Sequence, residues 1–140
     1  MNREAIYSAL FNIVKTSANF KTASRKIRLK GDLPEGEMPA LYQLQVSEKK
    51  EQVQRMPAKY FMTVDLWIYA SVDDGDTAPS STLNPLIDAI ETALAPDALT
   101  GIQNLGLNNV SHCWTESVEI FENIFGNVIM AIMPVNILAT

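Results

Sequence analysis

His112 and Cys113 form the one place in this chain where a base and a nucleophile stand side by side. In an extended strand adjacent side chains point to opposite faces, so the two would not share the proton that activates a thiol. The spacing reads instead as a small core cysteine beside a partly buried polar histidine. There is no second histidine to complete a metal site and no Cys-x-x-Cys. Glu116 with Glu119, and Asp73 with Asp74, have the residue types that acid–base work needs, but no further catalytic partner accompanies them. A calcium loop opening at Asp73 would close on a Glu at position twelve, and that position is Asn84. The glycine patterns that cradle phosphates are missing too. The sequence therefore offers no catalytic, metal-binding or cofactor-binding residue, and its charges read as contact groups.

Those charges are unevenly placed. All 11 Lys and Arg fall within residues 1–59, and none follows. Against six acids they give the first part +5, and the ten acids after it give −10. The split can reflect a nucleic-acid site, a charged partner or complementary faces meeting between subunits, or the halves can interleave in the fold so that the poles cancel. Candidate basic contacts are Arg25, Lys26, Arg28, Lys30, Lys49, Lys50 and Arg55; candidate acidic ones are Asp73, Asp74, Asp76, Glu116 and Glu119. Lys21, Arg25, Lys26, Arg28 and Lys30 could also meet a nucleic-acid backbone. A pI near 4.8 and the lack of interleaved aromatics argue against sequence readout.

The elements that must position these groups are organised around Lys59–Ala70. Its even residues Tyr60, Met62, Val64, Leu66, Ile68 and Ala70 are apolar; its odd residues mix Lys59, Phe61, Thr63, Asp65, Trp67 and Tyr69. Strict alternation predicts a long strand with one face in the core. The other face, with a charge among large rings, suits a partner. Before it, residues 2–18 predict an amphipathic helix capped by Asn2. Ser24–Lys30 predicts a basic edge strand, 31–39 a turn-rich loop, and Ala40–Val46 a second strand. Ser47–Ala58 is polar and predicts a long projecting loop, disordered alone and ordered against a partner. Leu83–Ala95 predicts a helix with Pro85 in its first turn and Asn84, or an earlier Ser or Thr, as cap. Residues 97–109 read as irregular with a short strand near 102–107. Val110–Phe121 predicts a strand bulged at Glu116, with Val110, His112 and Trp114 on one face. Val128–Leu138 is apolar almost throughout, as in a strand covered on both faces, and Pro134 should leave one ladder position unpaired.

This order, α-β-β-β-α-β-β, predicts an α+β domain: a mostly antiparallel sheet of four to five strands with two helices packed on one face. Residues 1–140 make a single domain. Leu10, Ile13, Leu86, Ile90, Val64, Leu66, Met130 and Ile132 are expected in one core between helices and sheet. No apolar run reaches the length of a membrane span and no start resembles a signal peptide, so a soluble cytosolic product without a membrane partner is expected. The lone Cys113 agrees with an intracellular origin.

Several segments carry a family likeness: REAIYSALF at Arg3–Phe11, MPALYQLQ at Met38–Gln45, LWIYA at Leu66–Ala70, LNPLIDAIETAL at Leu83–Leu94, SHCWTE at Ser111–Glu116 and PVNIL at Pro134–Leu138. In that order they resemble the tail terminator, or tail completion, proteins of lambda-like long-tailed bacteriophages and prophages. The resemblance implies a small α+β subunit, with no cofactor, that forms a homo-oligomeric ring of six copies. The ring would end polymerisation of the tail tube protein and offer a surface to the head–tail connector or neck protein. Phage DNA would pass through its channel without sequence-specific binding, and the protein would be a virion component made in the host cytoplasm. Alternatives are another neck or minor tail structural protein or, in a different class, a small thiol enzyme or ligand-binding module.

Overall fold

The computed structural model describes residues 1–72, 76–78, 80–125 and 127–140. Two helices and six strands follow the chain as α1 (Arg3–Lys15), β1 (Thr22–Ser24), β2 (Ala40–Glu51), β3 (Lys59–Ser71), α2 (Ser80–Ala93), β4 (Val110–Thr115), β5 (Glu119–Phe125) and β6 (Val128–Ala139). The sheet order is β1-β2-β3-β6-β4, with β5 also on β6. Every pairing is antiparallel except β1 with β2, and this is the α+β class that the element order predicts.

The alternation in β3 fixes the two faces. Met62, Val64, Leu66, Ile68 and Ala70 are buried in one cluster with Ile6, Tyr7, Leu10 and Val14 of α1 and Leu83, Ile87 and Ile90 of α2. Asn2 caps α1 as expected, its side chain accepting from the Ala5 amide at 3.0 Å. The buried Gln43 side chain donates to the Tyr7 carbonyl at 2.9 Å, which places α1 over β2. From β6 the odd residues Ile129, Ala131, Met133, Val135 and Ile137 join this core. Met130 and Ile132, expected there, belong to the opposite face with Tyr42, Tyr69 and Trp67. An all-apolar strand carries no parity signal, so its pairing with β3 decides which side chains meet the helices.

Pro134 lies where the outer partner of β6 is interrupted. The Glu116 amide donates to the Pro134 carbonyl at 2.9 Å. In an antiparallel ladder a residue's N–H and C=O face the same neighbour, so the missing proline N–H falls on this side too. β4 ends at Thr115 and β5 begins at Glu119, so one expected strand becomes two and the sheet gains its sixth.

Other boundaries differ from expectation. Only Thr22–Ser24 forms the edge strand; 25–29 has no regular structure, and Arg25 and Arg28 are drawn into ion pairs within the chain. β2 runs on to Glu51 through a register shift between Gln45 and Ser47, so 47–51 is strand and the connecting loop shrinks to 52–58. α2 begins at Ser80, which puts Pro85 inside the helix and rules out Asn84 as its cap. Residues 97–109 hold turns but no strand. A register shift between Val110 and His112 turns Val110 into the helix-side core, away from His112 and Trp114.

Candidate functional site

The face of the sheet away from the helices is only partly covered. At one end Leu33 and Met38 are buried against Ala40, Tyr42, Tyr69, Val128 and Met130, with Ile27 packed on them. Tyr42 and Tyr69 meet edge to face, 6.0 Å between ring centroids. Beyond this patch the face opens. Paired across β3 and β6 stand Trp67 with Ile132, Asp65 with Pro134, Thr63 with Asn136 and Phe61 with Leu138, all half-buried. β4 extends the row with His112 beside Leu138 and Trp114 beside Asn136, and β5 adds Glu119 beside Ile132.

Polar groups fix the middle of this face. Thr63 donates to the Asn136 side-chain oxygen at 2.9 Å, and the Asn136 amide donates to Glu116 Oε1 at 2.7 Å. The Trp114 indole donates to the same carboxylate oxygen at 3.0 Å. His112 stacks on Trp114 with centroids 5.6 Å apart and accepts a hydrogen bond at Nδ1 from the Gln103 amide. Asp65 lies half-buried among these groups. Its desolvation, and secondarily the Glu119 carboxylate, push its pKa above the usual aspartate value. No Lys or Arg occurs in β3 beyond Lys59, or in β4, β5 or β6, so those strands supply no counter-charge.

The basic residues are divided between internal and outward roles. Arg25 binds Glu4 and reaches Gln45, and the Arg25 and Ser8 hydrogen bonds hold the Glu4 carboxyl below its usual range. Arg28 pairs with Glu37, and the Tyr42 hydroxyl followed by Glu37 raises its pKa. That hydroxyl is buried and makes no hydrogen bond of good geometry. Within the chain Arg25 and Arg28 therefore act as clasps of the covering segment. Lys26 is exposed, and the side chain of Lys30 lies outside the described residues.

Lys49 pairs with Glu51 at 2.9 Å, and Lys50 lies over the Tyr60 ring. Arg55 is exposed at the hairpin tip with φ +66°, and neither it nor Lys59, which stands opposite Glu51, forms an ion pair with a described residue. Asp73 and Asp74 lie outside the described residues, and Asp76 stands in an exposed turn. Glu116 and Glu119 are thus the predicted acids that converge on one surface. Arg3 escaped the charge reading: its guanidinium grips both oxygens of Glu48 at 2.6–2.9 Å, depressing that carboxyl's pKa. Glu48 meets the start of α1 because β2 runs on to Glu51 beneath a helix tied to it at Gln43, so sequence spacing gave no hint of the pair.

Cys113 and His112 are separated as strand geometry demands. Cys113 is in the helix-side core, where burial pushes its thiol up to about 12, and His112 faces the other way. Among the described residues no cluster of His, Cys, Asp and Glu could hold a metal, and no helix is long and apolar enough to cross a membrane. An open pocket of about 200 Å³ lies at the β2 register shift, lined by Tyr7, Gln45, Val46, Ser47 and Glu48. It has neither the enclosure nor the apolar lining expected of a small-molecule site. Compared with known proteins, the chain matches no family model and no curated sequence.

Proposed function

We propose that this chain is a structural subunit of a bacteriophage tail that assembles as a ring on the finished tube, ends its polymerisation and receives the head connector. The observation that carries the reading is the two-sided sheet. One face is sealed by both helices, while the other keeps aromatic, aliphatic and carboxylate groups half exposed across several strands. Such a broad, shallow surface suits contact with macromolecules. Four of the six segments that resemble tail terminators map onto the strands building it: MPALYQLQ leads into β2, LWIYA lies in β3, SHCWTE covers most of β4 and PVNIL lies in β6, while REAIYSALF and LNPLIDAIETAL fall in the two helices on the sealed face. Six copies, a channel passing DNA without sequence-specific contacts, and residence in the virion tail follow from the same reading. Acid left unpaired at the interfaces would face that channel and keep DNA from adhering.

The test is negative-stain imaging of tails assembled with and without the protein. Tubes of uncontrolled length in its absence, restored to uniform length by adding it, are the expected result. Tubes of normal length without it would overturn the reading.

A further inference from the structure

We propose that the β2–β3 hairpin tip of one copy docks on the open sheet face of a second copy. The two surfaces are complementary in charge and in apolar content. The face carries Asp65, Glu116 and Glu119 on a ground of Phe61, Trp67, Trp114 and Ile132. The lysines on this side of the sheet stand at its hairpin end, Lys49 opposite Phe61 and paired with Glu51, and Lys59 two residues before Phe61. The tip has the opposite character. From Gln52 to Val64 there is no acid, and Arg55 and Lys59 are both exposed, Lys59 standing across the hairpin from Glu51. Val53 and Met56 stand beside them, 66% and 55% exposed.

The tip is also built to hold one shape. The Met56 amide donates to the Val53 carbonyl at 3.0 Å, and the Gln52 side chain donates to the Met56 carbonyl at 2.9 Å. A turn already closed by these bonds loses little further freedom on docking, which favours affinity. Its geometry directs it to another molecule. β2 and β3 pair as far as Glu51 and Lys59, beyond the last β6 partner, Ala139 opposite Tyr60, so the tip lies past the end of the strands that build its own open face. A tip on a different patch of the neighbour is a heterologous contact, able to repeat from copy to copy and close a ring. Each exposed ion pair contributes only about 0–1 kcal/mol. Two cations against three carboxylates, with Val53 and Met56 covering apolar ground, make the contact cumulative and salt-sensitive.

The inference goes beyond the tail reading, and the two fail separately. The experiment mixes two full-length single-site variants, Met56→Cys and Glu119→Cys, under mild oxidation. Both sites are at the surface, and the buried Cys113 does not compete. The mixture should yield a reducible heterodimer well above the homodimers of either variant alone, and the Met56→Cys/Glu119→Cys double variant should yield a ladder. Adding Arg55→Glu with Lys59→Glu, or raising salt from about 0.1 to 1 M, should cut the yield about tenfold, the equivalent of ~1.4 kcal/mol. No heterodimer excess, or an excess indifferent to both treatments, overturns the proposal. A chain that limits tail length yet gives no such cross-link sinks this contact alone. One that cross-links but leaves tail length unaffected sinks the tail reading alone.

Discussion

Replacing Leu66 by Ala tests the parity on which both faces depend. Leu66 is 0% exposed in the central strand β3, opposite Met133 of β6 and Gln43 of β2, with the helices above it. The change removes three carbon groups, and at about 0.8 kcal/mol each the lost transfer energy is roughly 2.4 kcal/mol. β3 is clamped by strands on both sides, so its backbone cannot sink into the gap. The residual cavity should then bring the total to about 4 kcal/mol, toward the upper part of the range for such changes. Ile132→Ala removes the same number of carbons from the half-exposed face, where water and neighbouring rings fill the space, and should cost about 1–2 kcal/mol. With a urea slope near 2 kcal/mol per molar, the midpoints should fall by about 2 M and 0.5–1 M respectively. Urea titration followed by the fluorescence of Trp67 and Trp114 reads both. Equal shifts, or a larger one for Ile132→Ala, would mean that the helices cover the other face.

Asp65→Asn should raise stability at neutral pH, because the folded state holds this carboxyl above its usual pKa. The sign follows from linkage: the penalty is absent below the unfolded pKa, grows as pH rises through the unfolded and then the folded value, and stays constant above. The stability gain of the variant over the parent should therefore vanish in acid; urea midpoints across pH that show a constant gain would refute this assignment. The Cys113 thiol, with a pKa near 12 and no exposure to speak of, should resist an aromatic disulfide reagent at pH 8 in the native protein and react at once in urea. Rapid native labelling would place Cys113 outside the core.

Much of this molecule was legible in the residues, and the reason is local. α1 follows from its apolar stripe and the Asn2 cap, β3 from strict alternation, and the break beside Pro134 from a missing N–H. Each of these signals is contained in a few neighbouring positions. The opposite facing of His112 and Cys113 was equally fixed by the two-residue period of a strand. The open face was visible only in part, through Asp65 among the aromatic rings of β3. What tertiary structure decided is everything that depends on which strands meet. Met130 and Ile132 could have faced either way until β6 paired with β3, since a strand apolar on both sides has no preferred parity. The sequence-wide charge split did not foretell that Arg25 and Arg28 would be spent on Glu4 and Glu37, nor that β2 would reach Glu51 and bring Glu48 to Arg3. Charges act over whatever distance the fold leaves between them, and that distance is not written along the chain.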